Sequence, residues 1–350
     1  MELSHLRTLG RSGLPVSPLA LGTMTFGNKG WGSTDDVSRR IFEAYVQAGG
    51  NFVDTADVYS GGRSEELVGS FIGEGKLRDR IVLATKFGFS GGNGRKNMNR
   101  ALESSLGRLG TDYVDLYWVH VWDAVTPAEE LLQTMGELVR SGKIRYFGLS
   151  DVPAWYAARM ATLAQTHNVP GPIALQLVYS LVERVIEHEH IPAARELGMA
   201  VTPWSPLGAG FLTGKYSRDS SGNVLVGGGR LDSNNQPFRM FSERNWKILD
   251  TLREVSRQAD KPMSQVALAW ASGRPGITSL ILGASTPEQL DNNLASLELE
   301  LSADQLTQLQ EASAFDPLNF YSLFEEQVNR SIFKGLKVDG WSHGKTVGRY

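Results

Sequence analysis

Four residues of the 350-residue chain have types and positions suited to acid–base chemistry on an oxygen atom: Asp54, Tyr59, Lys86 and His120. Each closes or follows a short β-type run. Asp54 ends Phe52–Asp54, Tyr59 stands in the segment after it, Lys86 follows Ile81–Thr85, and His120 follows Tyr113–Val119. A tyrosine hydroxyl with its ordinary pKa near 10 is a weak acid, whereas a general acid works best near pH 7. Lowering a phenol by about two to three units requires roughly 3–4 kcal/mol in favour of the phenolate. An ammonium about 4 Å away supplies on the order of 4 kcal/mol at an effective dielectric near 20. Lys86 therefore suffices in sign and size. Asp54 can keep it charged in a buried setting, and His120 can hydrogen-bond the oxygen of a bound carbonyl. The set suits protonation of an alkoxide developing from a carbonyl, which needs a hydride source and hence a nicotinamide cofactor. A second chemistry stays open on the same residues, with Lys86 as the Schiff-base amine of an isomerase or aldolase.

Such residues reach one rim only if parallel, neighbouring strands carry them. Short β-type runs do alternate with helical patterns along the chain. Leu19–Gly22 precedes a helix over Thr34–Ala48, with Thr34 as N-cap; Phe52–Asp54 precedes Ser64–Ile72; Ile81–Thr85 precedes Met98–Arg108; Tyr113–Val119 precedes Pro127–Arg140. Ile144–Leu149 then precedes Pro153–Thr166, Ile173–Val178 precedes His188–Leu197, Met199–Trp204 precedes Ser242–Gln258 and Ser264–Ala271, and Ser279–Leu282 precedes Pro287–Ser296. Eight such units imply a parallel sheet with helical crossovers, closed as a (β/α)8 TIM barrel whose chemistry lies at the C-terminal strand ends. An open dinucleotide-binding sheet would show G-x-G-x-x-G after its first strand, whereas residues 22–27 read GTMTFG. A hairpin is expected at the start, from Leu6–Leu9 and Leu14–Val16 around Gly10–Gly13. The stretch Ser205–Phe241 is a long loop after strand 7, and helical patterns at Ser302–Ala312 and Tyr321–Arg330 form a C-terminal extension. The expectation is a single domain, 1–350, with its core at about 6–314 and the extension at 315–350.

Composition narrows the function. The net charge of −3 argues against a nucleic-acid-binding surface, and the absence of cysteine excludes disulfides, thiolate nucleophiles and Cys-based metal sites. No apolar run is long enough to span a membrane, and the N-terminal residues lack the apolar stretch of a secretory leader, so a cytoplasmic location is expected. His188-Glu189-His190 lacks the spacing of a zinc helix, and Gly210–Tyr216 departs from the P-loop pattern. The expected partner is a small-molecule carbonyl compound acting on a monomer or weak homo-oligomer, with no nucleic acid, membrane or metal. Phe26, Trp31 and Trp122, near the first and fourth strand ends, are expected to wall an apolar substrate, with loop packing as the alternative for the two tryptophans.

The chain resembles the aldo-keto reductases from about Leu6 to Asn293. The resemblance rests on LGTMTFG (Leu21–Gly27), NFVDTADVYSGGRSEELVG (Asn51–Gly69), ATKFG (Ala84–Gly88), RLGTDYVDLYWVH (Arg108–His120), GKIRYFGLS (Gly142–Ser150), WSPLGAGFLTGKY (Trp204–Tyr216) and LGASTPEQLDNN (Leu282–Asn293). It looks closest to the bacterial and potassium-channel-β-subunit-like branches. It implies a barrel with an N-terminal hairpin, and it places the family's catalytic tetrad on Asp54, Tyr59, Lys86 and His120. It further implies NADP(H) as cofactor, with NAD(H) as the lesser option. Thr23 and Met24 then lie near the nicotinamide ribose and amide, Ser150, Asp151 and Gln176 near the carboxamide, and Trp204 under the nicotinamide ring. Ser205, Leu207, Gly208 and Gly210 begin the strap over the pyrophosphate, Lys215 and Arg230 reach phosphates, and Gly283, Ser285, Gln289 and Asn293 take the adenosine end. Three departures stand out. Trp204 replaces the usual Tyr, Asp151 stands where the family often has Asn, and Ala284 and Gln289 stand where some relatives carry cations for a 2′-phosphate. The resemblance also admits a cofactor-binding regulatory subunit with weak catalysis.

Overall fold

The computed structural model describes residues 2–28, 30–219, 224–225, 231, 240–316, 318–324 and 326–336. Arg230 and the Gly227–Gly229 run lie outside them. Eight parallel strands, β3 (Leu19–Gly22), β4 (Phe52–Asp54), β5 (Val82–Phe87), β6 (Val114–Val119), β7 (Ile144–Ser150), β8 (Ala174–Gln176), β9 (Ala200–Val201) and β12 (Leu280–Leu282), form one sheet in the order β12-β3-β4-β5-β6-β7-β8-β9. Closure between its ends comes from backbone bonds: Thr278 N–H donates to Val201 O at 2.9 Å and Ile281 N–H to Pro203 O at 2.8 Å. The result is a (β/α)8 barrel. β9 is shorter than the expected Met199–Trp204 because Pro203 has no N–H, although Trp204 N–H still donates to Leu177 O at 3.0 Å.

The helices that follow the strands are α1 (Asp35–Gln47), α2 (Arg63–Glu74), α3 (Arg95–Leu109), α4 (Ala128–Arg140), α5 (Ala154–His167), α6 (His190–Leu197), α7 (Glu243–Ala259), α8 (Met263–Ser272) and α9 (Pro287–Leu294). Their starts follow local chemistry. Thr34 and Ser242 accept the N–H of Val37 and Asn245, and Pro127 and Pro153 stand at the N-cap rather than inside their helices. The extension begins with α10 (Ala303–Ala312), opened by a reciprocal Ser302–Gln305 capping box. The helix expected over Tyr321–Arg330 divides into a 3-10 turn, Tyr321–Phe324, and α11 (Glu326–Ile332). The long loop holds a 3-10 segment, Gly208–Thr213, and a small antiparallel pair, β10 (Ser217–Arg218) with β11 (Val224–Leu225).

Period-two alternation decides what the barrel contains. Ala20, Phe52, Val82, Ala84, Leu116, Trp118, Ala174, Ala200 and Ile281 form an apolar interior, closed below by Leu9, Leu14 and Val16 of the hairpin β1 (Arg7–Thr8) and β2 (Pro15–Val16). The hairpin strands are two residues each, shorter than expected. Two residues further along, on the same face of each strand, stand Asp54 above Phe52, Lys86 above Ala84, His120 above Trp118, Ser150 above Gly148 and Gln176 above Ala174. Gly148 is required there, because a Cβ would stand 2.2 Å from Cζ3 of the fully buried Trp118. The opposite faces carry Leu21, Val53, Leu83, Tyr117, Phe147, Leu175 and Val201 into the core shared with the helices. Among the described residues no helix is long and apolar enough to cross a membrane, and no cluster of His, Asp and Glu could hold a metal ion.

Candidate active site

The structure brings Asp54, Tyr59, Lys86 and His120 together at the C-terminal end of the barrel. Lys86 is completely buried, and its ammonium uses all three donors: to Asp54 Oδ1, to Thr55 O at 2.9 Å and to the Tyr59 hydroxyl at 3.1 Å. The second Asp54 oxygen accepts from Gln176 Nε2 at 3.0 Å. Burial pulls the lysine pKa down, but Asp54 and Tyr59 more than offset it and the net direction is upward. Tyr59 enters through a sharp reversal. Ser60 (φ 50°) and Gly61 (φ 66°) take left-handed conformations, and Ser60 Oγ is tied to Phe26 O at 2.8 Å.

His120 faces Tyr59 edge-on, with ring centroids 5.8 Å apart. Burial, reinforced by the Lys86 charge, pushes its pKa far below the usual histidine range, so the ring is neutral. Its Nδ1 is buried with no partner among the described residues, which favours the tautomer protonated on Nε2, since a buried orphan N–H is the costlier arrangement. Behind the tetrad, the buried Glu65 of α2 accepts from Arg108 Nε at 2.6 Å and from the Thr85 hydroxyl. Asp57, whose N–H donates to Lys86 O at 3.1 Å, has a pKa raised to about 6 by burial and by nearby Glu65.

The tetrad opens onto a cleft of about 1090 Å³. From Asp54, Tyr59 and His120 its lining passes Ser150, Asp151, Gln176 and Trp204, then Ser205, Leu207, Gly210 and Lys215, and reaches Gly283, Ser285, Gln289 and Asn293. Trp204 Nε1 donates to Asp151 Oδ1 at 3.1 Å. Burial raises the Asp151 pKa to about 6, against the pull of that bond and of Lys86. At Gly210 (φ 91°) a Cβ would stand 3.0 Å from Lys215 Cε and 3.2 Å from Nζ, so the glycine leaves room for the lysine to fold over the strap. Ser285 donates to Gln289 Oε1 through both its N–H (2.9 Å) and its hydroxyl (3.0 Å). A flat indole face beside amide and hydroxyl groups, a glycine cradle under an ammonium, and a polar pocket at the start of α9 fit a nicotinamide dinucleotide.

Several expected residues stand elsewhere. Phe26 is wholly buried against Phe71 and does not line the cleft, because it faces the helix layer. Trp122 is half-buried and packs on Trp155 and Tyr156, outside the cleft lining. Thr23 is fully buried; it donates to Asp54 O and accepts from Ser64, which makes it a prop for the strand end. Gly208 is buried at the start of the 3-10 segment and does not line the cleft. Trp31 and Met24 do line the cleft. So do Phe89, Asn28, Ser264 and Asn292, which sequence reasoning missed. Phe89 lies 4.6 Å edge-on from His120, and its position three residues after Lys86, in a loop after a strand end, was the available signal. Ser264 and Asn292 meet from different helices at 2.8 Å, which no local pattern announces.

Comparison with known proteins matches residues 18–314 to the model of the Aldo/keto reductase family. An uncharacterised oxidoreductase of Bacillus subtilis is 34% identical over 328 residues, covering 89% of this chain and 95% of that protein. An aryl-alcohol dehydrogenase of Pestalotiopsis microspora is 32% identical over 317 residues (86% and 80%), and a norsolorinic acid reductase of Aspergillus flavus is 32% identical over 363 residues (97% and 89%).

Proposed function

The chain belongs to the aldo/keto reductase family of NAD(P)H-dependent oxidoreductases, and from that premise we propose that it reduces an aldehyde or ketone to the alcohol with NADPH, Tyr59 giving the proton. The observation that carries this reading is the Tyr59 hydroxyl at the cleft, 3.1 Å from a buried ammonium that Asp54 holds in place. When bound, the cofactor supplies a hydride, two electrons with one hydrogen, to the carbonyl carbon. Tyr59 gives its proton to the oxygen as negative charge develops there, and Lys86 stabilises the phenolate left behind. Neutral His120 donates a hydrogen bond to the carbonyl oxygen and orients it; the depressed pKa argues against imidazolium as the acid. Lys86 as a Schiff-base nucleophile is disfavoured, because its three donors are used inside the protein and it does not line the cleft.

Ser150, Asp151 and Gln176 are the residues we assign to the carboxamide, Trp204 to the ring, Ser205, Leu207 and Gly210 to the pyrophosphate, Lys215 to the 2′-phosphate, and Gly283, Ser285, Gln289 and Asn293 to the adenosine end. Among the described residues lining the cleft, Lys215 is the only Lys or Arg, which supports a preference for NADPH over NADH that rests mainly on one cation. Trp31 and Phe89 at the mouth, with relatives named for aryl alcohols and norsolorinic acid, support an aryl aldehyde or ketone as substrate. The test is a screen of aryl aldehydes, ketones, quinones and keto-sugars, following loss of NADPH absorbance, with Tyr59→Phe as control. Substrate-dependent NADPH loss in the wild type alone supports the reading. Equal rates in both proteins, or none with any carbonyl, overturn it.

A further inference from the structure

We propose that Asp151 makes the cleft discriminate between the redox states of its cofactor, its carboxylate favouring the cationic nicotinamide of NADP+ over the neutral ring of NADPH. The proposal deepens, and rests on, the reading that the cleft takes NADP(H). Asp151 lines the cleft, and one carboxylate oxygen accepts from the indole N–H of Trp204 at 3.1 Å. The charge is thereby pinned at the edge of the ring assigned to the nicotinamide. Its backbone is held in a left-handed conformation (φ 45°) from two sides: its N–H donates to Gln176 O at 3.1 Å and its carbonyl accepts from Trp122 N–H at 3.3 Å. An aspartate in that conformation, tied to two neighbouring segments, is a built feature of the site.

The chemical question is why a carboxylate stands here. An asparagine would accept the same indole N–H through its amide oxygen and would bury no charge. Burial works against the carboxylate and raises its pKa to about 6, so near neutral pH it is still mostly ionised. Among the described residues the charged and titratable groups around it offset that charge only in part, through the pull of Lys86. Lys86 is already paired with Asp54 and bonded to Tyr59, His120 is neutral, His190 is turned to Val152 O, and Lys215 belongs to the strap. A nicotinamide cation on the Trp204 face would bring the missing positive charge. Phosphates and adenine are identical in the two redox forms, so the ratio of their affinities isolates the ring. A site that favours the oxidised ring draws the bound equilibrium toward alcohol and holds NADP+ longer after turnover.

The experiment is calorimetric titration of the wild type and of Asp151→Asn with NADP+ and with NADPH, above and below about pH 6. The ratio Kd(NADPH)/Kd(NADP+) is expected to fall about tenfold or more in the variant, a tenfold change being about 1.4 kcal/mol. In the wild type the same ratio should fall as the pH drops through about 6, because protonated Asp151 loses its charge; in the variant it should stay flat. A wild-type ratio that ignores pH, or a ratio equal in the two proteins, overturns the proposal, and the wild-type titration decides even if the variant folds poorly. Binding of neither nucleotide to the wild type overturns the cofactor reading and the proposal with it.

Discussion

Removing the Lys86 charge tests the tetrad most directly, because two opposed charges act on Tyr59 and can be separated. The ammonium stands 3.1 Å from the phenol oxygen. At an effective dielectric near 20 that contact favours phenolate by about 5 kcal/mol. Asp54, just beyond Lys86 and about 5 Å from the phenol if the three groups are roughly in line, takes back about 3 kcal/mol. The pair therefore favours phenolate by about 2 kcal/mol, equivalent to about one and a half pH units. In the double variant Asp54→Asn/Lys86→Met both terms vanish. The basic limb of the kcat–pH profile for carbonyl reduction should then move up by about one and a half pH units, and the plateau should fall by about 30-fold at most as the acid weakens by that amount. Lys86→Met alone leaves Asp54 to repel the phenolate, so its limb should move further still. It also strands a buried carboxylate, and the single variant should be the less stable protein by about 3 kcal/mol. The measurements are pH profiles of NADPH consumption and thermal melts of all three proteins. A basic limb at the same pH in all three, or a double variant displaced further than the single, would refute the electrostatic account of Tyr59.

Tyr59→Phe keeps the ring and removes the proton, so reduction should slow about 10²–10⁴-fold while the calorimetric Kd for NADPH hardly changes; near-normal turnover would remove Tyr59 from the acid role. Lys215→Ala should weaken NADPH about tenfold more than NADH in equilibrium titrations, since one charge-assisted bond contributes about 1.5–3 kcal/mol; equal losses would show that it serves only phosphates common to both. Arg108→Ala should lower stability by about 3 kcal/mol, because the fully buried Glu65 loses its ionic partner, and a denaturation midpoint close to wild type would contradict that dependence.

Much of this protein could be read from short stretches of chain. Strands such as Leu19–Gly22 and Phe52–Asp54 appear at their expected limits, and Thr34, Ser242 and Ser302 cap helices where their side chains can reach an N–H three residues on. The placement of Asp54, Lys86 and His120 at the ends of successive strands was legible for the same reason, since a strand end is a local event. Other features depended on register and closure. Only the staggering of neighbouring strands determines that Phe52, Ala84 and Trp118 fill the interior while the residues two further on meet in one layer around Tyr59. The Asp151–Trp204 contact joins two strand ends 53 residues apart, and Gln176 reaches Asp54 across 122 residues. Phe26, expected at the substrate wall, turns into the helix layer to pack on Phe71. Propensity and capping are settled within a few residues of chain, but which side chains share a layer at the mouth is settled by the shear of a closed sheet, a property of all eight strands together.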